Sequence, residues 1–223
     1  MKKLGTTNEY VVEGQFIDEV TQINDLGFLL TNDLNFDQHC EQVATKAMRA
    51  TYRLFKALPI RDSFVLLCAF KSYIRPLLEY GTVIFNPYKR KTIAKLEKVQ
   101  NNFTRKLLIG NTNFNYRNLI SPDDRNKKFG LHSLCKRRRK FDLIMFYKLV
   151  HGLCGLDPDV FCTFKPSVTR GDSVKLYLPR TKTKFRSQFF INRAGSDYLA
   201  LSKLKEIPGN IRSFTRILDS YVK

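Results

Sequence analysis

Ser63-Phe64-Val65-Leu66-Leu67-Cys68-Ala69-Phe70 is the stretch whose reading decides the fold. It is apolar on nearly every side, and Asp62 or Ser63 can cap it by accepting a hydrogen bond from a free N–H of the first turn. A helix that is hydrophobic all round belongs inside a core, so this segment predicts the centre of a helical bundle. Leu58-Pro59 ends the element before it. Pro76 should kink the helix and Gly81 should stop it.

Helices with two distinct faces flank that centre. Upstream, Phe36, Cys40, Val43, Ala47, Leu54 and Phe55 recur at helical spacing, while Lys46, Arg49, Arg53 and Lys56 occupy the other side. Downstream, over about 90–108, Ile93, Leu96, Val99, Phe103 and Leu107 form an apolar face. Lys91, Lys95, Lys98 and Arg105 form a second basic row, with Asn102 in its gap. One such row is usually a solvated face, but two in one chain point to a polyanion. A fourth helix, from Leu131 towards Leu153, contains Lys136-Arg137-Arg138-Arg139-Lys140. At about 100° per residue five consecutive bases wrap more than a full turn, so some must meet other protein groups or a ligand. Phosphate binding suits this run better than a nuclear-localisation signal, which belongs in exposed flexible chain.

Both ends of the chain read differently. Tyr10-Val11-Val12, a Glu13-Gly14 turn and Phe16-Ile17 predict a hairpin, and Leu26-Gly27-Phe28-Leu29-Leu30 predicts a third strand. So few short strands need a larger sheet to rest on. Near the other end, Val174, Leu176 and Leu178 alternate with Lys175 and Tyr177. Beyond Pro179, Arg180, Lys182, Lys184 and Arg186 alternate with Thr181, Thr183 and Phe185. Period-two alternation predicts a strand with one basic face. That face is either a ribbon laid along a sugar-phosphate backbone or a solvated edge blunted by lysines. Helical patterns return near 190–202 and 210–222. The expected fold class is therefore α+β, mainly α.

Charge agrees with the basic rows. The 223 residues hold 39 Lys and Arg against 20 Asp and Glu, a net charge of +19. A surplus of that size makes nucleic acid the default partner, with an anionic membrane surface as competitor. The surplus is uneven. Residues 1–41 carry eight acids (Glu9, Glu13, Asp18, Glu19, Asp25, Asp33, Asp37 and Glu41) and only Lys2 and Lys3, which suggests a boundary near residue 34. No stretch approaches the roughly 20 apolar residues that span a bilayer, and the first residues lack the apolar core of a signal peptide. Five cysteines at irregular spacing favour reduced thiols, hence nucleus or cytoplasm rather than secretion.

Catalytic patterns fail one by one. His132 with Cys135 and His151 with Cys154 imitate zinc-ligand pairs, but one continuous helix between them would hold them about 24 Å apart at 1.5 Å per residue. Asp123-Asp124 invites a two-metal reading, yet after Ser121-Pro122 these acids suit a helix start, where the dipole favours negative charge. There is no P-loop, G-x-S-x-G or H-E-x-x-H. No catalytic or metal-binding residue and no cofactor is expected.

An ordered series of short motifs runs through the chain. It comprises Asp25-Leu26-Gly27, Leu34-Asn35-Phe36 with His39, and Tyr73-Ile74-Arg75-Pro76-Leu77-Leu78-Glu79-Tyr80, followed by Asn86-Pro87. Next come Leu96-Glu97-Lys98-Val99-Gln100, then Gly130-Leu131 with Ser133-Leu134, Arg137-Arg138, Asp142-Leu143-Ile144, His151-Gly152 and Phe189-Phe190-Ile191-Asn192-Arg193. In these the chain resembles the C-terminal part of the reverse transcriptase of LINE-type (non-LTR) retrotransposons, in particular the jockey-like branch. The resemblance implies a palm remnant of strands over 1–33, a thumb-like helical bundle over 34–110 and a basic region beyond the thumb over 111–223. It implies that the metal-binding aspartates belong to a polymerase palm upstream of residue 1, so this chain alone is no enzyme. The implied role is to grip template–primer duplex (RNA–DNA or DNA) and the element's RNA, in partnership with that palm. The chain departs from the family in having no Trp, and in Pro122, Arg125-Asn126 and Cys135. A free-standing RNA-binding or assembly protein is the alternative.

Overall fold

The computed structural model describes residues 10–58, 62–110, 120–166 and 174–221. It is mainly helical, with three two-stranded antiparallel hairpins among the described residues. In chain order the elements open with β1 (Tyr10–Val12), β2 (Gln15–Ile17), β3 (Gln22–Asp25), β4 (Phe28–Thr31), α1 (Asp37–Ala57) and α2 (Ser63–Ala69). A π segment (Phe70–Ile74) leads into α3 (Arg75–Glu79), α4 (Arg90–Gly110), α5 (Pro122–Lys128) and α6 (Leu134–Val150). A short 3-10 turn (Pro158–Val160) precedes β5 (Thr163–Pro166) and β6 (Val174–Tyr177), and α7 (Lys184–Ser187), α8 (Phe190–Leu204) and α9 (Ile211–Tyr221) complete the chain.

Of the two cap candidates, Asp62 caps α2, its carboxylate accepting from Phe64 N at 2.7 Å, and Ser63 is the first helical residue. The helix is less central than its composition suggests. Leu66, Phe70, Ile74 and Leu78, each four residues on, form one buried stripe, whereas Phe64 and Tyr73 on the opposite side are exposed. Pro76 removes one N–H from the ladder, and the chain absorbs the loss in the π turn just before it. Gly81 then stops α3 at φ +66°, and a Cβ there would lie 2.1 Å from the Phe28 ring.

Two hydrophobic cores result. The first gathers α1, α2–α3, α4 and β4 around Phe70 and Phe103, whose rings stack at 4.2 Å. The second lies between the C-terminal half of α6, α8 and α9, where Tyr147 stacks on Phe214 at 4.3 Å. Each fully buried Phe or Leu contributes about 1.5–3 kcal/mol of transfer free energy. The expected division at residue 110 does not coincide with the division of the cores. Leu131 and Leu134 pack into the first and Leu143 into the second, so α6 spans both.

Two strand expectations need correction. Leu26 and Gly27, at φ 45° and 84°, form the turn of a hairpin, so the strand begins at Phe28 and gains a partner in β3. Nor is β4 left without a surface: Phe28 and Leu29 are buried, and Leu29 N donates to His39 Nδ1 at 3.2 Å. The basic strand over 180–186 does not form. The sheet ends at Tyr177, before Pro179, and Thr183 caps α7 by accepting from Arg186 N at 3.1 Å. Arg180, Lys182, Lys184 and Arg186 therefore share no strand face.

Candidate nucleic-acid interface

A run of side-chain interactions defines how α1 meets α4. Lys89, just before α4, binds Asp37. Further along, Lys95 binds Glu41 at 2.7 Å, Asn102 Nδ2 meets Met48 Sδ at 3.5 Å, and Lys106 Nζ lies 5.1 Å above the Tyr52 ring. The partners stay 52 to 54 positions apart along the whole seam, so the two helices run parallel. Both turn their buried residues to the same core, with Cys40, Ala47 and Thr51 on one and Leu96, Val99, Phe103 and Leu107 on the other. Seam and core together determine where the remaining faces point.

On α1, Lys46, Arg49, Arg53 and Lys56 span an arc of about 80° at 100° per residue. On α4, Lys91, Lys98 and Arg105, seven residues apart, span about 40°. Both arcs lie opposite the core and flank the seam. The two rows thus occupy one outer face of a two-helix layer, and all seven side chains are exposed. Packed helices sit about 8–10 Å apart, a spacing that lets two rows meet two stretches of phosphates on one strand or across a groove. A shallow groove along α1 is walled by Lys46, Arg49 and Arg53.

Not every expected base joins that face. Lys95 is drawn into the seam by Glu41. Tyr52, missing from the sequence-based set, stands 64% exposed amid the basic residues, with Lys106 over its ring. Its position one residue before Arg53 is the signal that marks it. At the seam's N-terminal end burial works to raise the Asp37 carboxyl, but hydrogen bonds from Lys89 and Thr92 outweigh burial and hold it below its ordinary value. The same bond to Asp37 raises Lys89. These acids are neutralised locally and do not oppose a polyanion on the outer face.

The run 136–140 has another fate. Arg137 makes a two-pronged pair with Glu79, Arg139 another with Asp197, and Lys140 binds Asp219. Arg138 is fully buried, so it is withdrawn from any phosphate-binding surface. None of its nitrogens has a hydrogen-bond partner among the described residues. Lys136 alone of the five is both exposed and outside these ion pairs. The helix dipole does not account for this arrangement; the acids come from α3, α8 and α9, which close around α6.

Other sequence candidates fall into structural places. Asp123 and Asp124 stand at the start of α5, where Asp124 N donates to Ser121 Oγ at 3.2 Å. The unbroken α6 holds His132 with Cys135 at one end and His151 with Cys154 at the other. Asp142 and Arg193, from two separate motifs, form a buried two-pronged ion pair at 2.9 and 3.0 Å. Asn86 adds a bond to the same carboxylate at 2.8 Å, and Arg193 also donates to Val83 O at 2.6 Å. This knot ties α6 and α8 to the loop after α3. Burial pushes the Asp142 carboxyl up while Arg193 pulls it back.

A stretch of 100 residues is 26% identical to an uncharacterized protein of Caenorhabditis elegans, covering 43% of this chain and 50% of that protein. The match thus spans half the length of that relative. No family model and no solved structure matches the chain. Among the described residues no helix is long and apolar enough to cross a membrane.

Proposed function

We propose that this chain is a nucleic-acid-gripping module that binds duplex through its sugar-phosphate backbone, with the outer face of α1 and α4 as the binding surface. One observation carries the reading: two basic rows, distant in sequence, converge on one exposed face while the acids at their seam are already paired. Rows of flexible bases suit phosphates, which position a protein without reading base sequence. The resemblance to LINE-type reverse transcriptases supplies the context, in which the α1–α4 layer acts as a thumb against template–primer duplex and the aspartates of catalysis belong to an upstream palm. In that context the chain by itself incorporates no nucleotide on a primed RNA template with magnesium.

Fluorescence anisotropy with an RNA–DNA hybrid of about 20 base pairs tests the binding mode. Affinity should fall steeply with salt, because each neutralised phosphate releases counterions, with a log–log slope of roughly 0.7 to 0.9 per phosphate. Scrambling the sequence should leave affinity unchanged. A salt-independent affinity, or strong preference for one sequence, rules out backbone grip.

A further inference from the structure

Between the two cores opens a cleft of ≈ 510 Å³, mouth included, lined by Phe36, Asn86 and Tyr88 on one side and Phe185, Gln188 and Phe189 on the other. Tyr88 and Phe185 remain 41% and 40% exposed, so part of each ring is available to a visitor. Phe189 is already engaged, with Phe185 edge-on at 5.4 Å and the Arg186 guanidinium 4.8 Å above its ring. The ionic groups inside are also committed: Asp37 to Lys89, and Arg193 to Asp142. The lining therefore suits a neutral, flat group with polar edges, for which Asn86 and Gln188 offer amides. The rim is basic. Arg90 follows Tyr88 by two residues, and Lys184 and Arg186 flank Phe185, all three exposed.

Flat neutral ring inside and anion at the rim together describe a nucleotide. We infer that this cleft receives one unpaired base of a single-stranded nucleic acid, its flanking phosphates held by Arg90, Lys184 and Arg186. Stacking on aromatic rings above a basic track is how sequence-tolerant single-strand sites work. The inference rests on the nucleic-acid reading and extends it: α1 and α4 hold the duplex, and the cleft takes a base from the strand that runs on beyond it.

The test uses the full chain and a short duplex in three forms: blunt, with a single-stranded extension carrying 2-aminopurine, and with the same extension made abasic. The extension with bases should bind about 5- to 150-fold tighter than the abasic one, the range that one stacked base supplies, and 2-aminopurine fluorescence should be quenched. Tyr88→Ala and Phe185→Ala should erase that preference without changing affinity for the blunt duplex, whereas Tyr88→Phe should retain it. Equal binding of base and abasic extensions by the unaltered chain, with the blunt duplex still bound, overturns the cleft assignment alone. Failure to bind any of the three overturns the nucleic-acid reading and the cleft with it. A preference that survives both alanine changes places the base elsewhere and also refutes the assignment. The comparison on the unaltered chain needs no variant to fold.

Discussion

Two regions of this molecule are rich in bases and differ in where the fold leaves them. Along α1 and α4 seven of the bases recur every three, four or seven residues, so these seven share one side and the core takes the other. In α6 five bases follow one another and wrap the helix, so the fold must satisfy most of them from within. Glu79, Asp197 and Asp219 do so for three of them, and Arg138 goes under the surface altogether. Charge density alone therefore does not leave bases together on one exposed face; spacing relative to the helical repeat does.

The sharpest challenge to this contrast lies in the buried ion pair that backs α6. Arg193→Ala leaves the Asp142 carboxylate buried without its cation, and removing one partner of such a pair costs about 3–5 kcal/mol. Measured by urea denaturation, that is a large share of a stability that is typically about 5–15 kcal/mol. A loss below about 1 kcal/mol would mean the two cores are not joined here. Next in size is Arg137→Gln, which strips a two-pronged partner from the mostly buried Glu79. Charged hydrogen bonds contribute about 1.5–3 kcal/mol each in net terms, so a midpoint shift equivalent to about 2 kcal/mol is expected. No shift would return Arg137 to the free surface bases.

Much of this was legible in the sequence, and the remainder has an identifiable cause. The periodicities of α1, α4, α8 and α9, the Asp62 cap and the first hairpin are local properties, and the structure keeps them. The partners of the α6 run lie 58 to 79 positions away, a pairing that no local pattern announces. The parallel seam of α1 and α4 is equally remote, so the sequence offered two basic rows but not their convergence. Around 180–186 alternation suggests a strand, and the side-chain cap from Thr183 outcompetes it over four residues. Leu26-Gly27 is readable as a turn, but the apolar residues after it draw the strand assignment too far forward.

A smaller effect separates the seam from the outer face. Asp37 has its folded pKa held below the ordinary 3.8 by Lys89 and Thr92. A depressed carboxyl stabilises fully above its unfolded pKa and loses that contribution as pH falls through its folded value. Comparing Asp37→Asn with the unaltered chain from pH 7 down to 3, the stability gap should shrink at the acid end. Because the pair is partly exposed, the gap at pH 7 should be no more than about 1 kcal/mol. A gap that widens in acid would mean the carboxyl is not held low.

The central claim is that spacing, not charge count, makes the binding face. Two triple variants remove the same charge: Lys91, Lys98 and Arg105 to Gln on the outer face, and Lys136, Arg139 and Lys140 to Gln on α6. Each is titrated with the same RNA–DNA hybrid at several salt concentrations, below its unfolding transition. The face set should weaken binding strongly and reduce the salt slope by about 0.7 to 0.9 for each phosphate no longer neutralised. The α6 set should shift the slope by no more than about 0.9, the equivalent of a single phosphate. Equal falls in affinity and slope from both sets would show that the duplex responds only to net charge, and the α1–α4 interface would have to be given up.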